Sequence, residues 1–319
     1  MRACLLVAVA ACGRIAFDDD DGAPSCAQLP PSCGGTASAQ CCDSPLVPGG
    51  TFYRSYDGVG YDSTASPATV SAFRLDKYEV TVARFREFVN AGRGTQATAP
   101  ALGAGGRTLN GLPDQGGWTV EYTSRLPTST AAIETELSCN AQYQTWTASN
   151  DNRPINCVSW ELALAFCIWD GGYLPTEAEW NFAAAGGDEQ RAYPWSQPPT
   201  SLVLDASLAS YAPTFDTDCV GDGLPGCTLE DIIEVGSKPA GDGRWGHSDL
   251  AGNLYEWTLD WYEEPYPTPC MDCVSTNPSA GLRSFRGGAF RYAASGLRNG
   301  YRNGWTADDR SGVRCARPP

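Results

Sequence analysis

Chemistry in this sequence would have to come from fourteen cysteines, one histidine and an arginine-rich C-terminal stretch. A single imidazole, His247, excludes Ser-His-Asp triads, two-histidine metal helices and three-histidine iron sites, so His247 reads as structural. There is no G-x-x-x-x-G-K-[ST] run and no strand followed by G-x-G-x-x-G, so nothing cradles a nucleotide phosphate in the usual ways. Between Arg283 and Pro319 eight arginines (283, 286, 291, 298, 302, 310, 314 and 317) face two acids, Asp308 and Asp309. Phe290, Tyr292, Tyr301 and Trp305 are interleaved with them, an arginine-aromatic surface suited to anionic peptides, sugars or carboxylates. The competing reading is that at least half of these arginines are buried against Glu177, Glu179, Glu256 or Asp260. The molecule as a whole carries −15, which repels phosphate backbones and argues against a nucleic-acid partner.

Met1-Arg2 and the apolar run Ala3 to Ala11 form a short secretion signal (residues 1–11), and Val9-Ala10-Ala11-Cys12 resembles the lipobox of bacterial lipoproteins. Cys12 would carry the lipid and hold the protein in the bacterial cell envelope, outside the cytoplasm, with Gly13 suited to outer-membrane sorting. Residues 12–45, with Asp18 to Asp21 and a Pro/Ser/Gly/Cys-rich stretch, read as a tether, and 46–319 as one domain. Setting aside Cys4 and Cys12 leaves twelve cysteines, an even number that suggests up to six disulfides in an exported protein. Cys26, Cys33, Cys41 and Cys42 would staple the tether to itself or to the domain edge. Cys219/Cys227 and Cys270/Cys273 would each close a small loop. The Cys270-Met-Asp-Cys273 spacing is also that of a redox dithiol or half a zinc site, but without the strand-then-helix context of the former.

Three segments carry a helical period: Val82 to Asn90 behind Thr81, the stretch from Ser159 to about Trp169, and the helix opened by the capping box Thr176-Glu-Ala-Glu179 and stopped by Gly186-Gly187. The remainder is Gly, Pro, Asn, Asp and aromatic residues with short apolar runs. Ala91 to Thr135 reads as a long surface insertion. Ten Trp, fourteen Tyr and the cysteines would have to anchor a loop-rich core.

Together, Val47-Pro-Gly-Gly-Thr-Phe52, Phe73-Arg-Leu-Asp-Lys-Tyr-Glu-Val-Thr81, Pro154-Ile-Asn-Cys-Val-Ser-Trp160, Tyr173-Leu-Pro-Thr-Glu-Ala-Glu-Trp180, Asp249-Leu-Ala-Gly-Asn-Leu-Tyr-Glu-Trp257, Arg286-Gly-Gly288 and Gly312-Val-Arg-Cys315 resemble the formylglycine-generating enzyme family, also called the sulfatase-modifying factor family. The resemblance implies an α+β, C-type-lectin-like fold with little regular secondary structure, small twisted antiparallel sheets and about three helices. It implies a Cys167–Cys315 disulfide, and the absence of a second family bridge whose positions here are Ala184 and Arg302. It also implies bound Ca²⁺, held by the Asp249 side chain, the carbonyls of Gly252 and Leu254, and Glu256, a set of hard oxygen donors. The alternative for Glu256 is an ion pair with a C-terminal arginine.

Family members that make formylglycine hold Cu(I) with two cysteines, helped by a serine after the Gly-Gly pair, because soft thiolates hold that ion. Here those positions are Tyr292, Leu297 and Ala289, so the resemblance implies no copper and no catalytic residue. The iron-dependent sulfoxide synthases of the superfamily need histidines that this chain lacks. The expectation is a lipid-anchored, non-catalytic binding or assembly module, with Arg291, Tyr292, Arg298 and Asn299 facing a peptide, glycan or protein ligand. The alternatives are a formylglycine-generating oxidase and a structural surface protein.

Overall fold

The computed structural model describes residues 23–27, 29, 33, 40–109 and 112–319. Residues 1–11, read as a signal, and Cys12 lie outside the described residues. Five short helices are seen among them: α1 (Val82–Asn90), α2 (Val120–Arg125), α3 (Thr130–Leu137), α4 (Trp160–Trp169) and α5 (Glu177–Ala184). Each of the three expected helices starts at its expected cap. Thr81 accepts from the Arg84 amide, Ser159 from the Leu162 amide, and Thr176 and Glu179 close the capping box in both directions. Gly186, in the left-handed region at φ 67°, ends the last of them.

α2 and α3 correct the reading of residues 91–135 as a surface insertion. Thr119 and Ser129 cap them, and Trp118, Tyr122, Leu126, Ile133 and Leu137 are buried in the main core. These helices are short and each buries only one or two residues, too few for a clear period. The segment is an added layer that packs from outside onto α4.

The strands are short and make small sheets. Tyr255–Trp261 pairs antiparallel with Arg283–Arg286, which pairs with Asn303–Trp305, and Ser311–Gly312 joins the other edge in parallel. A second sheet sets Phe73–Leu75 between Leu46–Val47 and Ala316–Arg317, so the start and end of the domain meet. A third sets Pro67–Val70 between Gly50–Tyr53 and Cys270–Met271. Arg107–Leu109 and Leu112–Gln115 form a separate hairpin.

With so little regular backbone, the core relies on rings and ion pairs. α1 packs on α4 through Phe85 stacked on Phe166 at 5.3 Å and Phe88 edge-on to Phe166 at 5.6 Å. Beside them Arg84 bridges Asp76 (2.9 Å) and Asp170 (2.6 Å), and Arg317 reaches the same two carboxylates, all four residues buried. Two charges of each sign satisfy one another there, the condition for burying them at all. Part of the stretch read as tether is built into this knot. Ser25 is fully buried, its amide donating to Asp170 and its hydroxyl accepting from Arg84.

All twelve described cysteines are paired: Cys26–Cys42, Cys33–Cys41, Cys139–Cys157, Cys167–Cys315, Cys219–Cys227 and Cys270–Cys273. Cys139–Cys157, which closes the loop before α4, had no expected pairing. No described helix is long and apolar enough to cross a membrane.

Candidate functional site

The positions where the resemblance places copper chemistry are closed with carbon. Gly287 and Gly288 turn the chain at φ 96° and 73°, after which Ala289 and Phe290 are fully buried and Leu297 is 1% exposed. The Leu297 side chain lies against Gly288, where an added Cβ would come within 2.7 Å of it. The Tyr292 ring is wedged edge-on to Tyr255 (4.9 Å) and Phe215 (5.0 Å) and tilted to Tyr301 (6.2 Å). Burial and then the Tyr292 hydroxyl push the Tyr255 phenol far up, so it stays protonated. With every described cysteine in a disulfide, no soft donor stands here and the copper centre does not fit these residues.

The four expected ligand residues are not brought together. Arg291 pairs with Asp216 (3.2 Å) and Asp309 (2.9 Å) over the Tyr143 ring, beside the half-buried Tyr292. Arg298 pairs with Asp57 at 2.5 Å. Asn299, 1% exposed, spends its amide on the Ala184 and Arg191 carbonyls and is framework. Of the eight C-terminal arginines, seven find carboxylates, among them Arg286 and Arg302 on Glu177, Arg310 on Asp308 and Arg314 on Glu256. Arg283 is instead held between the Trp160 and Trp261 rings, 3.3 and 3.7 Å from their centroids.

A cavity of about 560 Å³ opens a few residues further along, lined by Tyr61, Tyr262, Tyr266 and Tyr301 with Arg54, Arg302, Ser55, Asp62 and Glu264. Its floor is an ionic cluster. Glu177 accepts from Arg302 (2.6 and 2.7 Å), Arg286 (2.8 Å) and the Tyr266 hydroxyl (2.9 Å). The two guanidinium groups outweigh burial and hold Glu177 down at about 2, whereas Asp260, with only the Glu177 and Ser275 amides as donors, is pushed up to about 7 by burial and by Glu177. Arg54 and Arg302 both lie over the Tyr266 ring, at 4.2 and 3.9 Å. Ser55 adopts φ 54°, a left-handed position a side chain rarely takes, and its hydroxyl joins Tyr266 and Arg286. The wall carrying Tyr61 is pinned by Asp57, which accepts from the Val59, Gly60 and Tyr61 amides and pairs with Arg298. Arg298 thus positions the cavity wall. This site escaped the sequence reading because its walls come from residues 54–66, 262–266 and 300–302; the one local signal was Arg302 at a position where the family places a disulfide half.

The loop from Asp249 to Glu256 is a cradle of oxygen atoms. Asp249, Gly252 and Asn253 all have positive φ (60°, 86° and 60°), which turns the loop tightly. The buried carbonyls of Gly252 and Leu254 accept no hydrogen bond among the described residues. A Cβ at Gly287 would meet the Trp180 ring at 3.4 Å and the Leu250 and Leu254 oxygens at 3.5 and 3.7 Å, so two carbonyls of this loop face the position that the glycine occupies. Glu79, which the sequence reading passed over although it lies in Phe73 to Thr81, accepts from Asn253 (2.6 Å) and the Leu254 amide (3.0 Å). Glu256 forms the alternative ion pair, bidentate to Arg314 at 2.6–3.0 Å, and accepts from Trp180 at 2.6 Å. Burial pushes Asp249 up to about 6 and Glu79 well above the usual range, the latter also through Asp249 and Glu256. Three carboxylates stand around the buried Arg314 guanidinium, and Asp242 and Lys238 also act on Asp249; the acids remain in excess, an imbalance that protons or a cation would offset. Among the described residues no three His, Cys, Asp or Glu side chains converge as a metal site, so any ion would lean on the carbonyls. His247 is neutral, held at about 3 by burial and Arg314, with Nε2 3.2 Å from the Leu75 oxygen.

Residues 33–319 match the family described as sulfatase-modifying factor enzyme 1-like domain. The chain belongs to this family. A mouse protein named formylglycine-generating enzyme is 29% identical over 230 residues, 68% of this chain and 57% of that protein, so this chain spans little more than half of that relative's length. A second mouse member, named inactive C-alpha-formylglycine-generating enzyme 2, is 28% identical over 237 residues, 68% of each chain. The structure of PvdO from Pseudomonas aeruginosa superposes with a TM-score of 0.59 at 20% identity, covering 88% of this chain and 95% of that one, which establishes the shared fold. The sulfatase-modifying-factor family therefore includes proteins named as active and as inactive, and the α+β, lectin-like expectation holds.

Proposed function

We propose that this protein is an exported, lipid-anchored member of the family that binds a ligand and does not generate formylglycine. The observation that carries this reading is the filling of the three catalytic positions by buried Ala289, buried Leu297 and the wedged Tyr292, with no thiol left among the described residues. Ligand contact falls to the tyrosine-lined cavity beside them, whose rings and guanidinium edges suit a glycan or an extended peptide carrying hydroxyl or carboxylate groups. Export and anchoring rest on the Met1 to Cys12 segment and agree with six disulfides. In the test, purified protein is given Cu(I), O₂ and a Cys-x-Pro-x-Arg peptide, and separately applied to glycan and peptide arrays. No aldehyde should form above a copper-only blank, and array binding should fall at least tenfold in Tyr61→Ala. Aldehyde formation would restore the oxidase reading; binding indifferent to Tyr61 and Tyr301 would remove the cavity. Fatty-acid labelling lost in Cys12→Ser checks the anchor.

We further propose that Asp249, the Gly252 and Leu254 carbonyls and Glu256 hold Ca²⁺, which would supply the positive charge their loop lacks. The folded-state pKa values of Asp249 and Glu79 are raised, so without the ion their contribution is present at low pH and is lost as pH rises, for Asp249 through about 6. In EGTA the melting temperature should therefore fall between pH 5 and 7.5, and millimolar Ca²⁺ should restore it at pH 7.5 with little effect at pH 5. Identical curves with Ca²⁺ and EGTA at pH 7.5 would leave protons as the counter-charge.

A further inference from the structure

Cys270 and Cys273 are joined by a disulfide across a sequence separation of 3, the shortest ring among the described pairs. Cys270 is buried in the strand Cys270–Met271, and Cys273 is partly exposed after it. No helix follows, so the helix N-terminus that often activates such a pair is missing. Its electrostatic place is taken by Arg54. Nη1 of Arg54 donates to Cys273 Sγ at 3.5 Å, Nη2 donates to the Pro267 carbonyl at 2.9 Å, and the residue is 4% exposed. No carboxylate among the described residues lies within ion-pair distance of Arg54, and Glu177 is committed to Arg286 and Arg302. Burial accordingly pulls the Arg54 pKa below its usual value. The acid inside the motif is turned aside: Asp272 is held by the Ser71 amide (2.5 Å) and hydroxyl (2.6 Å).

A buried guanidinium facing a neutral disulfide sulfur has a poor acceptor, whereas a thiolate at the same atom would supply its missing counter-charge. Stabilising the reduced form in this way is what makes a disulfide oxidising. We propose that Cys270–Cys273 is a thiol–disulfide exchange centre, with Arg54 as its positioning cation and a dithiol-bearing peptide or protein as its substrate class. A substrate thiolate attacks Sγ of the partly exposed Cys273, the Cys270–Cys273 bond breaks, and Cys270 leaves as a thiolate that takes up a proton. The second substrate thiolate then attacks the substrate sulfur of the mixed disulfide and expels Cys273 as a thiolate opposite Arg54. The substrate dithiol loses two electrons and two protons and becomes a disulfide; the protein's cysteines take up the two electrons. This centre shares Arg54 with the wall of the ligand cavity, but its test reads a disulfide equilibrium and not ligand binding, so the two readings can fail separately.

The test equilibrates the oxidised protein with glutathione buffers, alkylates it and quantifies each cysteine pair by mass spectrometry, with Cys219–Cys227 as internal reference. Cys270–Cys273 should open in a less reducing buffer than the reference. In Arg54→Met its equilibrium with glutathione should shift about tenfold toward the disulfide, with Arg54→Lys restoring most of the difference and the reference pair unmoved. A Cys270–Cys273 midpoint equal to the reference, or unchanged in Arg54→Met, overturns the proposal. Should Arg54→Met not fold, unaltered protein mixed with a reduced dithiol peptide decides: stoichiometric peptide disulfide and reduced Cys270/Cys273 support the centre, and a peptide that stays reduced refutes it.

Discussion

Arg314→Met should lose about 3–5 kcal/mol at pH 7.5, the usual cost of leaving a buried ionic partner alone. The Arg314 side chain is fully buried and every donor is used: Nε and Nη2 on Glu256, Nη2 also on the Ser248 carbonyl, and Nη1 on the carbonyls of Asp76 and Lys77. Removing it strands Glu256 beside Glu79 and Asp249, and takes the donor from the Asp76 and Ser248 carbonyls, while the Lys77 carbonyl keeps the Ser248 amide. Lysine cannot span those acceptors with one ammonium, so Arg314→Lys should recover only a minor part. Urea unfolding at pH 5 and 7.5 checks both points. The deficit should shrink at pH 5, where Asp249 and Glu79 take up protons, and Glu256→Gln in the Arg314→Met background should return part of the stability. A loss below about 1 kcal/mol at pH 7.5 would mean that the guanidinium is dispensable to the loop.

The second large effect is expected from Cys167→Ala/Cys315→Ala. That bond closes a loop across a sequence separation of 148, and the chain-entropy model assigns it about 5 kcal/mol, against about 2–3 kcal/mol for Cys219–Cys227, whose separation is 8. Both cysteines are fully buried between α4 and the C-terminal strand, so truncation to alanine adds a packing loss. Guanidinium unfolding of the two double variants should rank them in that order. Equal midpoints would show that the aromatic packing of α4 alone holds the C-terminal segment.

The sequence disclosed what is encoded locally. Thr81, Ser159 and Thr176 mark helix starts because a side-chain oxygen and an amide three residues on are enough to make a cap. The family motifs brought the fold and the Cys167–Cys315 bridge. Thr119 and Ser129 were equally valid caps, but the short stretches behind them, with Tyr122 the one buried residue of α2 and Ile133 and Leu137 those of α3, gave no period to read. The cavity was illegible for another reason: Arg54 lies far along the chain from Tyr266 and Arg302, and the three meet only where both guanidinium groups stack on the Tyr266 ring, with Glu177 tying Tyr266 to Arg302 beneath them. Asn299 misled because proximity along the chain to Tyr292 says nothing about which way a loop turns, and this one turns its amide inward.

The knot formed by Arg84, Asp76, Asp170 and Arg317 has a consequence for biosynthesis. Arg317, Cys315, Arg314 and the strand Ser311–Gly312 are translated after every element they fasten, so the earlier segments leave the ribosome with unmatched acids and an unpaired Cys167. Until residues 311–317 emerge, the sheet edge at Tyr255–Glu256, the second cation of the knot and the partner of Cys167 are all missing, so these contacts can form only late in synthesis.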